Sequence, residues 1–158
     1  MNKTLVIVRH AHRDTSKGQE FNNGLSDKGR KQVRKLFDFY FERFPEVEKP
    51  ILLSSARKRC VETLEPLARK LERRLVLSPL LLERTEKETV PQFKQRIRRF
   101  KREQVKNPSE LTVICSHGDW IPFFFKELLG IEIELKKGGW AEVEFTDKPR
   151  LTWIVQSF

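Results

Sequence analysis

The sequence has little of what stabilises an exported or membrane-embedded protein. Its two cysteines, Cys60 and Cys115, are too few for a disulfide framework, and neither has a CxxC or Cys/His spacing that would hold zinc. They read as reduced, buried thiols. No apolar stretch approaches the ~20 residues of a membrane span, and the longest, Ile121 to Leu129, is broken by Lys126 and Glu127. The opening Met-Asn-Lys-Thr leads into Leu5-Val6-Ile7-Val8, which is far shorter than a secretory apolar region and has no small-residue cleavage site behind it. Internal repeats and low-complexity tracts are also missing. Together these absences predict a cytoplasmic chain with no membrane partner and no repeat architecture.

Acidic residues are outnumbered, 22 against 32 lysines and arginines, for a formal charge of +10. A field of this sign attracts phosphorylated metabolites, nucleic acid and acidic proteins alike and does not choose among them. The length of 158 residues suits one domain over 1–158, able to bury roughly 70% of the surface its unfolded form exposes.

Apolar patterning predicts the elements. Residues 3–9, 50–54, 75–77 and 111–115 read as short buried strands. A helix starts near Ser26, with Val33, Leu36, Phe37, Tyr40, Phe41 and Phe44 on one face, and stops before Pro45. A second is expected from about Arg57 to Arg73, kinked or delayed by Pro66, and a third from Pro91 to about Lys106. Asp119 is placed as the N-cap of a fourth, which Gly130 closes. From Gly138 the residues alternate, and Thr146-Asp147-Lys148-Pro149 is expected to turn the chain into Leu151–Val155 as a terminal hairpin. The predicted class is α/β: three α/β/α layers, a mainly parallel central sheet with helices on both faces, and an antiparallel C-terminal hairpin.

In open sheets of this class ligands sit outside the carboxyl ends of the strands. The first strand ends in Arg9-His10-Ala11-His12-Arg13, the second in Ser54-Ser55 followed by Arg57 and Arg59, and the fourth in Ser116-His117-Gly118-Asp119. Arginine forks match phosphate oxygens in paired hydrogen bonds, and a neutral imidazole nitrogen is a competent nucleophile toward phosphorus. Taken singly, each histidine is a hydrogen-bonded strand end and each arginine a surface charge. Their coincidence at neighbouring strand ends points to a phosphoryl site that calls for no metal or cofactor.

These segments resemble the histidine phosphatase superfamily, the phosphoglycerate-mutase-like fold. Val8-Arg9-His10-Ala11 resembles its opening Arg-His-Gly motif, with Ala11 in place of glycine. The stretch from Leu25 to Gln32 is similar to its Leu-Thr-x-x-Gly-x-x-Gln helix start, and Ser54 to Thr63 to its Ser-Ser-Pro-x-x-Arg-x-x-x-Thr segment, a spacing that selects Arg59 over Arg57. Ser116-His117-Gly118 resembles its late Ser-His-Gly. The resemblance implies that His10 takes the phosphoryl group to form a phosphohistidine, which water then hydrolyses, while Arg9, Arg59 and His117, with Gly118 beside them, bind the transferring oxygens. Cations crowding His10 are expected to lower its pKa and keep it neutral near pH 7.

Many members also carry a glutamate that protonates the leaving oxygen. Glu83 stands about where it is expected, with Glu86 and Glu88 as competitors, and a solvated loop carboxylate is the plain alternative. The polar loop of residues 11–25 holds His12, Arg13, Lys17, Asn22 and Asn23, of which Arg13 and Asn22 are the candidates for reaching substrate phosphate. The basic run Lys94 to Lys106 lacks interleaved aromatics and reads as a solvated helix face rather than a nucleic-acid surface. The expected partners are therefore a phosphorylated small molecule or a phosphohistidine-bearing protein. The rival of another class is a catalytically silent module that uses the same pocket to recognise phosphoprotein or nucleic acid.

Overall fold

A computed structural model describes residues 2–19, 21–145 and 148–158. Its sheet has six strands: β1 (Lys3–Arg9), β2 (Ile51–Ser54), β3 (Leu75–Leu77), β4 (Leu111–Ser116), β5 (Trp140–Phe145) and β6 (Pro149–Val155). Their spatial order is β3-β2-β4-β1-β5-β6. β1, β4, β2 and β3 pair in parallel, whereas β5 runs antiparallel to both β1 and β6. The terminal hairpin is present, although Thr146 and Asp147 of its expected turn lie outside the described residues.

Alternation along the central strands explains the layers. On β1, Leu5 and Ile7 face a core that contains Phe93, Ile97 and Phe100 of α3 (Val90–Lys106) and Trp120, Phe124 and Phe125 of α4 (Trp120–Leu129). Val6 and Val8 face the other way, onto Leu36 and Tyr40 of α1 (Asp27–Arg43) and Leu64 and Leu67 of α2 (Lys58–Lys70). Burying each large apolar side chain stabilises by about 1.5–3 kcal/mol, and a strand used on both faces reads as the continuous apolar run seen in the sequence. Glu142 is buried on the α1 side, where Arg43 holds it with bonds of 3.0 and 2.8 Å and Trp140 Nε1 donates to it at 3.0 Å.

The helix ends follow local chemistry. Ser26 caps α1 by accepting from the Gly29 N–H, and Thr89 with Gln92 forms a reciprocal capping box on α3. Two expectations need correction. α2 stops at Lys70, three residues before Arg73, and its start is not delayed by Pro66, since it begins at Lys58 and contains that proline. Asp119 leads into α4 with helical backbone angles and no side-chain cap; its Oδ2 accepts instead from the Arg84 N–H at 2.9 Å.

Candidate active site

The carboxyl ends of β1, β2 and β4 open on one cavity of about 510 Å³, whose lining includes Arg9, His10, Arg13, Arg59, Glu83, His117 and Gly118. Seven of the eight site residues read from the sequence meet there. The eighth, Asn22, lies elsewhere: its Oδ1 accepts from the Lys58 N–H at 3.0 Å, which satisfies a free donor at the start of α2.

The sequence motifs prove to be a set of ties that hold the loop after His10. Thr63 Oγ1 accepts from the Ala11 N–H at 3.0 Å and donates to the Arg59 carbonyl at 2.7 Å, so it joins the two strand-end segments. Gln32 Oε1 accepts from the His12 N–H at 2.9 Å. A Cβ on Gly29 would come within 2.0 Å of the His12 carbonyl oxygen, so only glycine lets the loop cross the start of α1 there. Ala11, which departs from the usual glycine, is buried with Leu25 and Val33, and this small apolar cluster accommodates its methyl group.

His10 is 5% exposed, and its Nδ1 lies 2.8 Å from the Ala11 carbonyl. A carbonyl can only accept, so Nδ1 carries the proton and the lone pair sits on Nε2. Burial is the main cause that lowers its pKa to about 3; the bond to Ala11 opposes this, and Arg59, Arg9 and Arg13 add to it. The sequence pointed to the cations as the cause, but loss of solvent outweighs them. The imidazole is neutral at pH 7 in either case.

His117 is also buried, its ring centroid 5.5 Å from that of His10. Ser55 Oγ accepts from the Arg57 N–H at 3.3 Å and lies 2.8 Å from His117 Nε2. Arg59 Nη2, which can only donate, lies 3.3 Å from His117 Nδ1, so Nδ1 carries the lone pair and Nε2 the proton, which it donates to Ser55 Oγ; Glu83 lies 3.6 Å from Nδ1. Burial first, then Arg59, lowers the His117 pKa to about 2.

The two guanidinium groups carry unused donors. Arg9 donates from Nη1 to the Leu135 carbonyl at 2.9 Å, and Arg59 Nη2 pairs with Glu83 Oε2. The Nε atoms of both are buried and have no hydrogen-bond partner. A buried unpaired donor costs about 1–3 kcal/mol, and both guanidinium side chains belong to residues that line the cavity. Gly118 belongs to this arrangement, since a Cβ there would stand 2.6 Å from Arg9 Cζ and displace the guanidinium.

Glu83 lies between two cations, with Oε2 on Arg59 and Oε1 2.8 Å from Arg57 Nε. The Arg57 contact is an ion pair whose N–H is not aimed at the oxygen. Glu88, a competitor from the sequence, is instead paired with Arg96 at 2.8 Å. Four lining residues escaped the sequence reading of the site: Thr15, Gln19, Glu134 and Lys137. Asp119, read there as a cap at the fourth strand end but not as a site residue, is the fifth; lost solvation of its carboxylate and the nearby Glu83 charge raise its pKa. Lys137 reaches the site because the Gly138 N–H donates to the Arg9 and His10 carbonyls at 3.2 and 3.0 Å, a tie no local pattern signals.

Among the described residues no group of three or more His, Cys, Asp and Glu side chains is arranged to hold a metal ion, and no helix is long and apolar enough to cross a membrane. The family model of the histidine phosphatase superfamily (branch 1) matches residues 5–86. No curated protein matches the chain. Among solved structures, a candidate alpha-ribazole-5'-P phosphatase from Escherichia coli is similar at 15% identity, with a TM-score of 0.80 over 95% of this chain and 94% of that one. A mycobacterial glucosyl-3-phosphoglycerate phosphatase in complex with VO3 is similar at 18% identity and a TM-score of 0.74, covering 96% and 98%. A phosphoserine phosphatase mutant from Entamoeba histolytica, in complex with phosphoserine, is similar at 15% identity and a TM-score of 0.74, covering 96% of both chains.

Proposed function

The chain belongs to the histidine phosphatase superfamily, and on that premise we propose that it is a phosphatase in which His10 Nε2 attacks the phosphorus of a phosphomonoester or of a protein phosphohistidine. The observation that carries this reading is the pair of buried, unpartnered Nε–H groups of Arg9 and Arg59 beside a buried, neutral imidazole whose protonated nitrogen is tied to the backbone. Bonding between His10 Nε2 and phosphorus breaks the bond to the leaving oxygen, and water then cleaves the phosphohistidine to release inorganic phosphate. Arg9, Arg59 and His117 stabilise the equatorial oxygens, where charge accumulates in the loose transition state. These groups supply the charge stabilisation without calling on a metal.

Glu83 is the proposed proton donor to an ester leaving group. An incoming phosphoryl dianion competes for Arg59, and its negative charge favours uptake of a proton from solvent by the freed Glu83 carboxylate, which then passes it to the leaving oxygen. A phosphohistidine leaves as an imidazole and needs less help. The phosphate esters named for the structural neighbours are in keeping with the ester branch of this reading.

The test is hydrolysis of p-nitrophenyl phosphate, expected to be blocked by vanadate and to fall by at least ~10³-fold in His10→Ala. Wild-type inactivity across pH 5 to 8, the range in which histidine titrates, contradicts hydrolysis of simple esters and favours the silent binding module. Comparing Glu83→Gln on an alkyl ester such as glycerol 3-phosphate, whose alkoxide needs a proton where p-nitrophenolate does not, and on a phosphorylated histidine phosphotransfer domain separates the two substrates: strong loss on the alkyl ester alone identifies Glu83 as the acid.

A further inference from the structure

The cavity is asymmetric in how its charges are matched. Its three carboxylates serve the transferring-phosphoryl side: Glu83 is held by Arg57 and Arg59, and Asp119 and Glu134 act on Arg9. Arg13 and Lys137 line the same cavity, and among the described residues neither has a carboxylate within ion-pair distance.

Both are held in place by backbone ties. Arg13 forms a bridge with Leu25 beside the start of α1. The Lys137 carbonyl accepts from Gln32 Nε2 at 3.1 Å, and its neighbour Gly138 bonds to the strand end that bears His10. The same Gln32 side chain takes the His12 N–H, so one residue sets the spacing of the two cationic loops. Loss of solvent and then repulsion from Arg9 and Arg13 lower the Lys137 pKa, so Lys137 sits in the field of both arginines. Half-buried, mutually repelling charges of this kind are retained where a ligand of opposite sign compensates them.

We propose that Arg13 and Lys137 form a second anion subsite within the phosphoryl cavity, and that the substrate is therefore a phosphomonoester whose leaving group bears its own carboxylate or second phosphate. The inference rests on the phosphatase reading for the word substrate, but the subsite itself is a binding claim that can be measured alone.

The test is calorimetric titration of the His10→Ala protein, which holds ligands without turnover. The ligands are 3-phosphoglycerate, propane-1,3-diyl bisphosphate and glycerol 3-phosphate; the last lacks the second anion. At least one of the first two is expected to bind about tenfold or more tightly than glycerol 3-phosphate, as a charge-assisted contact implies, and the stronger one names the second group. Adding Arg13→Gln and Lys137→Gln together is expected to reduce that preference to less than twofold, with the single changes intermediate; a thermal melt verifies that each variant is folded, and the singles decide if the double is not. Equal affinity for all three ligands, or a preference that survives the substitutions, overturns the subsite. Turnover by the wild-type chain is scored separately. Preferential binding with no hydrolysis removes the phosphatase reading and leaves the subsite standing, whereas hydrolysis without preference does the reverse.

Discussion

Two hollows of similar volume lie on this molecule, and they are built on opposite principles. The cleft between α1 and α2, about 620 Å³, is lined by Leu25, Val33, Phe37 and Pro66 among charged side chains. Two of its three carboxylates are engaged: Glu62 Oε2 accepts from the Leu25 N–H at 2.6 Å, and Glu65 pairs with Arg69 at 2.9 Å, while Asp38 is exposed to solvent. The cavity at the strand ends, about 510 Å³, holds two buried histidines with lowered pKa values and two guanidinium Nε–H groups without acceptors. Size alone would favour the first. The unsatisfied donors and buried imidazoles of the second are what the proposed phosphoryl chemistry would use.

Substitutions should separate the two hollows by what they cost. The largest effect belongs to Arg59→Ala, expected to lower kcat by ~10²–10³, the usual cost of one transition-state donor; steady-state kinetics would break the comparison if the loss were under about fivefold. Gly118→Ala adds a methyl group 2.6 Å from Arg9 Cζ, and because a small misplacement of a positioning group is costly it should reduce kcat/KM by about 10- to 100-fold with little change in Tm. In the apolar cleft the signs reverse. Phe37→Ala removes a half-buried ring that packs edge-on against Phe41 at 5.1 Å and should cost about 2 kcal/mol of stability in a denaturant melt, with kcat/KM within about twofold.

The smallest and most graded effect is on stability against pH. The native imidazoles of His10 and His117 have pKa values of about 3 and about 2, below the ~6.5 of an unfolded histidine. Below pH 6.5 the unfolded chain therefore binds protons that the native chain does not. Native stability falls with acid, down to about pH 3 for His10 and about pH 2 for His117, by at most about 1.4 kcal/mol per pH unit for each histidine. Denaturant melts at pH 7, 6 and 5 should show a shallower slope in His10→Asn than in wild type. Equal slopes would mean that the ring is solvated in the native protein.

How much of this was legible in the sequence depends on whether the determinant is local. β1, α1 and α4 were readable because each carries an apolar run or stripe that its own period betrays. Arg9, His10, Arg59 and His117 were readable because each sits at a strand end or helix start within a recognisable motif. Lys137 and Glu134 were not, since the loop between α4 and β5 reaches the site through bonds from Gly138 to the Arg9 and His10 carbonyls and from Gln32 to Lys137. Asn22 was misplaced for the complementary reason: a polar residue in a polar loop looks like a ligand contact until its partner, the Lys58 N–H, is seen. Asp119 had the composition of a cap, but the Arg84 N–H took its carboxylate. The cleft between α1 and α2 depends on how two helices pack side by side, which neither helix pattern states.

The central claim is that His10 becomes phosphorylated. Rapid acid-free quenching of the protein with a phosphomonoester during turnover, followed by intact-mass and peptide mass spectrometry, tests it most directly. The account predicts one added phosphoryl group on the peptide containing His10, stable to base, labile to acid and absent from His10→Ala. Turnover with no phosphoprotein under conditions that slow its hydrolysis, or a phosphoryl group on another residue, would contradict it.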